Sequence, residues 1–450
     1  MYKSIKLLYK VLIPEKLLEC LCGIPGYDQK DFLKAHQSGP QYRSIRINPH
    51  KASKLSFKPE QPVPWAQNGF YVPAEYRFTT DPLFHCGAYY VQEASSMFIE
   101  YILLKLSLNV PELYALDLCA APGGKTSILM DVLNKNSLIW ANEPNASRCL
   151  TLCDTLSRWG HLNHLVSRSS TRLLKEKCPL RFKITLVDAP CSGSGLFRKQ
   201  PEHAKQWHYG LVKVAVKTQQ DILSDAYYLT DNEGYIIYST CSFSPEENES
   251  ITQWFMEHFN VKAISFNLPK EWSIYSSGCG YRFWPQHLKG EGFFCAVFQK
   301  KANNANPFKA SSKPVLLKYK DTSKLNFKIY STGPEPQIIE HENMLCACSN
   351  GLIDIIKSID RQILINKIGV RLSSVNQAEK PHHDCALSHT FYTSFPDYSV
   401  DLNTALRYLR GESLPSDKNA KGWHRITFRG LGLGWANFLN NRANNYYPKA

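Results

Sequence analysis

Six short apolar runs alternate with helix-length segments between Leu113 and Phe298, and nothing else in the chain constrains the fold as tightly. They are LYALDL (113–118), SLIWANE (137–143), HLVS (164–167), KITLVDA (183–189), GYIIYST (234–240) and GFFCAVF (292–298). Intervening segments such as Thr218–Leu229 carry apolar residues at helical spacing. Short strands alternating with helices predict an α/β fold with a doubly wound, largely parallel sheet. Ligands of such sheets sit beyond the carboxyl ends of the strands. LDLCAAPGG, WANE, VDAPC and STCS all fall at that edge.

The first of these loops, within LDLCAAPGGKT (Leu116–Thr126), reads as a strand, a glycine turn at Gly123 and Gly124, and a helix start. Such a turn brings backbone N–H groups and a helix N-terminus close to a ligand. The GxxxxGK[ST] spacing of a phosphate loop is absent, and so is the GxGxxG of pyrophosphate binders. An adenosine ligand without a diphosphate fits, and S-adenosylmethionine (SAM) is the natural candidate. Glu143 ends the second strand, 26 residues after Asp117, where a carboxylate can accept both ribose hydroxyls.

Two cysteines follow predicted strands, Cys191 in VDAPCSG and Cys241 in STCS. A buried cysteine is ordinarily an inert small hydrophobe, but both of these lie in polar loops. C5 of a pyrimidine does not accept a methyl group unaided. A thiolate adding to C6 makes C5 enamine-like and nucleophilic, and a base must later remove the C5 proton so that the thiolate can leave. An acid that hydrogen-bonds or protonates N3 completes the requirement. Asp188, Cys191 and Cys241 supply one acid and two thiols.

The 450 residues suggest two to four domains. Lys and Arg exceed Asp and Glu by 53 to 39, a net +14; this suits a polyanionic partner such as nucleic acid, although charge alone does not separate that from a merely basic protein. No apolar run approaches the roughly 18–20 residues of a membrane span, and the N-terminus is too interrupted by charge and Pro14 to be a signal peptide. Fourteen scattered cysteines without a CxxC pair read as reduced thiols of a cytoplasmic protein. The pairs Cys20/Cys22 and Cys346/Cys348 are too close for a zinc clip, and His382-His383-Asp384-Cys385 lacks a second ligand cluster. No metal is expected, and a monomer is the default.

Four regions are expected. Residues 1–90 open with a helical pattern from Leu7 to Leu21, followed by an extended basic and apolar stretch, Tyr42–Lys51, whose Arg43 and Arg46 suit either phosphate contact or a solvated face. Pro59–Tyr76 reads as loop, and Gly87–Leu106 as a helix whose Gln92 and Glu93 face either a cleft or solvent. Residues 91–302 form the catalytic unit. Residues 303–390 follow a lysine-rich linker, Gln299–Lys328, with eight lysines and one acid, and carry no chemical motif. In 391–450 the stretch Trp423–Ala450 interleaves Arg425, Arg429, Arg442 and Lys449 with aromatics, a composition suited to RNA.

LDLCAAPGGKT, VDAPCSGSGLFRK, YSTCSFSPEENE and RFWPQHLKGEGFF (Arg282–Phe294) together resemble the NOL1/NOP2/Sun RNA cytosine-5 methyltransferases. YRSIRIN, YYVQEASS and the closing GLGWANFLNNRANNYYPK resemble the branch of that family acting on bacterial small-subunit ribosomal RNA. The resemblance implies a Rossmann-like SAM-dependent methyltransferase domain, an N-terminal α+β RNA-binding extension and a PUA-like C-terminal domain. By the same resemblance Cys241 is the nucleophile at C6, Cys191 assists breakdown of the adduct and Asp188 contacts the target base. Cys119, Ala120, Ala121, Pro122, Gly123, Gly124 and Lys125 would cradle the methionine part of the cofactor, with Asp188 beside it, and Glu143 the ribose. Ser170 stands where the family has an aspartate contacting adenine, so a hydroxyl replaces a carboxylate. The implied substrate is a cytosine of small-subunit rRNA near the decoding region, presented on the assembled subunit. Three alternatives stand: tRNA as substrate, an inactive ribosome-assembly factor that the Ser170 departure would favour, and a DNA cytosine-5 methyltransferase with Cys191 as nucleophile.

Overall fold

The computed structural model describes residues 12–448 except 40–41, 52–54, 56–58, 60, 109, 111, 135, 303–317, 320–324, 326, 332–333, 416 and 418. At its centre lies a mixed sheet of ten strands. Five are parallel, in the order His164–Ser167, Leu138–Asn142, Tyr114–Asp117, Phe182–Asp188, Thr230–Thr240. Phe293–Lys300 runs antiparallel beside Thr230–Thr240. The strand order reverses between 114–117 and 182–188, which opens a crevice at their carboxyl ends. Strands 138–142 and 164–167 are buried along their whole length, as helices on both faces require. Those helices include Gly124–Val132, Ala146–Trp159 and Tyr209–Leu229. Asn145 caps the second of them through Arg148 N–H, and Gly160 ends it at φ 90°, a conformation that suits glycine.

The sheet does not stop at residue 300. Ile365–Ile368 pairs antiparallel with the outer strand 164–167, and helix Asn350–Ser358 buries Leu352, Ile353, Ile355 and Ile356 in the same core as Leu116, Trp140 and Leu165. The segment expected as a small accessory domain thus shares a sheet and a core with the catalytic unit. His382 caps the short helix His383–Leu387, whose Asp384 is buried against Lys367 and whose Cys385 lies in the apolar core. These ligand-type residues have structural roles.

Three expectations need correction. Tyr89–Val91 is a strand, and the predicted helix begins only at Phe98; its pairing with Tyr42–Ile47 outweighs the local helical pattern. Gly69–Pro73, within the stretch read as loop, is likewise a strand on Tyr42–Ile47. Arg46 is fully buried, bonded to Asp131, Ser127 and Gln92 and lying 4.5 Å from the centroid of the Trp159 ring. It ties the N-terminal sheet to the catalytic helices and is not free for phosphate. The early helix residues Leu7, Leu8 and Val11, most of the lysine-rich linker and Lys449 lie outside the described residues.

The C-terminal sheet, Asp397–Ser399, Gly422–Phe428, Leu431–Phe438 and Ala443–Asn445, packs on the N-terminal one through Ile426, Leu433 and Phe438 against Ile45, Val72 and Tyr89. Arg425 is committed to Asp397 at 2.7 Å, and Arg429 to the Leu55 carbonyl at 3.0 Å. No helix among the described residues is long and apolar enough to cross a membrane.

Candidate active site

Two loops meet at the carboxyl edge of the sheet. Asp188 and Ser239 form the last pair between neighbouring strands, so the turns that follow bring Cys191 and Cys241 together, with Sγ to Sγ at 3.2 Å. The approach depends on Gly195, whose N–H donates to the Cys241 carbonyl at 2.7 Å. A Cβ there would stand 2.3 Å from that oxygen and 2.8 Å from the Gly292 carbonyl. Gly195→Ala is therefore expected to push the two loops apart and to cost about 1–3 kcal/mol of stability, read as a lowered Tm together with lost activity.

Glu247 lies under both loops. Its carboxylate accepts from Ser192 N–H at 2.7 Å, Ser192 Oγ at 2.5 Å, Ser242 Oγ at 2.5 Å and Gln219 Nε2 at 3.2 Å. Burial raises its pKa, while the donors from Ser192, Ser242 and Gln219 act the other way. Sequence reasoning missed this residue. The signal available was an acid following the cysteine motif, in SPEENE, where three acids stand together and only the fold shows which one is buried.

Asp188 is fixed from two sides, by Lys125 Nζ at 2.8 Å and by Ser239 Oγ at 2.8 Å. Burial alone would lower the Lys125 pKa; the Asp188 carboxylate outweighs that and raises it. Asp117 is buried, accepts from Thr126 Oγ1 at 2.6 Å, and keeps its other oxygen without a partner. Burial lifts its pKa to about 7. The hydrogen bond of Cys191 with Cys241, and its burial, raise the Cys191 pKa well above the ordinary value.

A cavity of about 330 Å³ opens between these groups. Cys119, Ala120, Ala121, Pro122, Gly124 and Lys125 line it, with Asp117, Asp188 and Cys241. Gln92 and Glu93, whose direction the sequence left open, line it too. Cys191 is not on the wall, although its Sγ lies 3.2 Å from that of Cys241. Gly123, Glu143 and Ser170 are also off the wall. Gly123 makes the turn at φ 108°. Glu143 Oε1 accepts from Asn145 N–H at 3.0 Å, and Oε2 lies 3.5 Å from Arg148. Ser170 caps helix Thr171–Lys177, its Oγ accepting from Leu173 N–H at 3.2 Å.

The residues fit a SAM-type ligand. Asp117 offers an unpaired buried acceptor to an ammonium group. Gly124 lies so close to the Tyr90 ring that a Cβ would meet it at 2.8 Å, which leaves backbone lining the pocket.

A crevice at the switch point of a parallel sheet with one antiparallel neighbour strand, walled by a glycine turn and carrying a loop thiol, defines a Rossmann-like methyltransferase. Solved structures agree. A methyltransferase homolog from Pyrococcus horikoshii is 28% identical, matching 64% of this chain and all of that one at TM-score 0.51. NSun6 from P. horikoshii with SFG, at 18% identity and TM-score 0.56, shares the fold. Family models match in three blocks: the N-terminal domain of 16S rRNA methyltransferase RsmF over 13–94, 16S rRNA methyltransferase RsmB/F over 104–299, and the methyltransferase RsmF PUA domain over 395–450. Curated relatives named ribosomal RNA small subunit methyltransferase F align along almost the whole chain. That of Shewanella piezotolerans is 27% identical over 93% of both chains. That of Vibrio vulnificus is 28% identical over 98% of this chain and 97% of its own. This chain belongs to the RsmB/F methyltransferase family.

Proposed function

We propose that the protein transfers a methyl group from SAM to C5 of a cytosine in small-subunit (16S) ribosomal RNA, through a covalent adduct between Cys241 and C6. The observation that carries this reading is that Cys241 lines the cavity together with Lys125 and Asp188, whereas Cys191, with its Sγ 3.2 Å from that of Cys241, does not. A DNA-type mechanism would need the reverse placement of the two thiols. The relatives' names supply the RNA, and the small subunit is its setting. The enzyme acts as a cytoplasmic monomer, with residues 91–302 as catalytic unit and the 1–90 and 391–450 regions holding RNA.

The Cys241 thiolate forms the bond to C6 and sends an electron pair towards C5, while Asp188, held by Lys125 and Ser239, contacts the target base. SAM, when bound, supplies the electrophilic methyl group. Loss of the C5 proton to a base then expels the Cys241 thiolate, so that over the cycle hydrogen is replaced by methyl and one proton is released. With the two sulfurs 3.2 Å apart, a hydrogen bond from the Cys191 S–H stabilises the departing Cys241 thiolate. Asp117 and the Cys119–Lys125 loop take the methionine end of SAM, and Glu143 the ribose. Ser170 contributes as a helix cap, and the adenine depends on other contacts.

Labelled methyl transfer to small subunits from a strain lacking this gene, followed by mapping of 5-methylcytosine, tests the reading. Label at a cytosine of the small-subunit RNA is expected; label on tRNA alone, or none despite SAM binding, sinks the rRNA assignment. SAM affinity is also expected to fall as pH drops through about 7, because the Asp117 carboxylate of the free protein takes up its proton there. Calorimetric titration of Asp117→Asn should show weaker binding without that pH dependence.

A further inference from the structure

The catalytic cavity is not closed on the side of the N-terminal sheet. Gln92, Glu93, Lys199 and Glu291 line it and also line a second cavity of about 730 Å³ between that sheet and the 285–291 loop. This volume lies within the roughly 300–1,000 Å³ of pockets that hold small ligands.

The walls combine cations with aromatic rings. Lys289 Nζ lies 4.5 Å from the centroid of the Tyr42 ring, which is 38% exposed. Arg43 lies 5.5 Å from the Phe78 ring. Neither Arg43, Lys199 nor Lys289 has an acidic partner among the described residues. The two acids present are turned to internal use: Glu93 accepts from Ser96 N–H at 3.0 Å and Glu291 N–H at 2.9 Å, and Glu291 faces Arg198.

Arg198 donates to the Gly290 carbonyl at 3.0 Å and the Gly39 carbonyl at 2.9 Å, which fixes the guanidinium. Its Nε stands 3.5 Å from Glu291 Oε2, and neither atom has a hydrogen-bond partner although the side chains are only 9% and 7% exposed. The two atoms face each other as a buried ion pair, which fixes the wall between the two cavities.

We propose that this cavity is a subsite for the nucleotide adjoining the target cytosine in single-stranded RNA. Lys199, common to both cavities, takes the phosphate between the two nucleotides, and the Tyr42–Lys289 platform stacks the neighbouring base. Stacking on an aromatic ring flanked by cations is how single strands are held, and a base turned out of its stack frees its neighbour for such contact. The assignment rests on the RNA reading above and adds to it a sequence preference next to the modified base.

The test uses the full-length enzyme, short single-stranded RNA oligonucleotides that differ in the bases flanking one cytosine, and small subunits as methyl acceptor. Tyr42→Ala and Lys289→Ala lie at the surface, outside the methyl-transfer machinery. Each is expected to weaken oligonucleotide binding about tenfold and to raise KM for the subunit with kcat and SAM affinity unchanged. Lys289→Ala should also flatten the salt dependence of binding by about one counterion. Unchanged oligonucleotide affinity in both surface variants, or a wild-type enzyme indifferent to the flanking bases, overturns the subsite. Wild-type protein that binds the oligonucleotides in this way but methylates no subunits would leave the subsite standing and remove the rRNA reading instead.

Discussion

Replacing Cys241 with alanine is expected to reduce methyl transfer by on the order of 10⁴-fold or more, the scale on which loss of a covalent nucleophile acts, with SAM affinity retained. Replacing Cys191 has a different signature. In the proposed mechanism Cys191 assists departure of the Cys241 thiolate, so Cys191→Ala should accumulate protein covalently attached to RNA, seen as a shifted band on denaturing gels. The double variant should show no such band, because the bond to C6 never forms. A shifted band in Cys241→Ala, absent in Cys191→Ala, would reverse the two roles. The 3.2 Å contact makes the pair one unit, so the single effects should not add.

Removing the carboxylate beneath the loops should be nearly as damaging. Glu247→Ala leaves four donors on Ser192, Ser242 and Gln219 without their acceptor in a buried site. Hydrogen bonds to a charged group are worth roughly 1.5–3 kcal/mol each, so even one lost in the transition state means about a tenfold loss or more. We expect a fall in kcat of about 10²-fold. The informative measurement is the rate of adduct formation in a Cys191→Ala background, with SAM affinity followed in parallel. Glu247 positions the loops, so adduct formation should slow while SAM affinity holds. Equal losses of SAM affinity and adduct formation would instead assign it to general folding.

What the sequence discloses follows the range of the interactions concerned. Strands at 164–167 and 183–189 are visible because apolar runs of that length need no distant partner to be recognised. Cys191 and Cys241 stand out because polar loops after strands are unusual surroundings for thiols. Glu247 does not stand out: only the convergence of two loops 50 residues apart gives it a buried role. Arg46 looks like a surface cation until Asp131, 85 residues on, is placed against it. Tyr89–Val91 looks helical until Tyr42–Ile47 offers it an edge. Ser170 illustrates the opposite limit, since a serine before a leucine-bearing helix is a legible cap in its own right.

The strand Ile365–Ile368 covers the outermost parallel strand of the central sheet, His164–Ser167. An enzyme cut after residue 302 would keep every group that handles the methyl transfer, yet carry an open ladder of backbone donors and acceptors and a bared patch of isoleucine-lined core. Such edges recruit other chains, and a truncated product would tend to self-associate. A cut within Gln299–Lys328 would therefore leave strand 365–368 on a separate piece from the sheet that it completes.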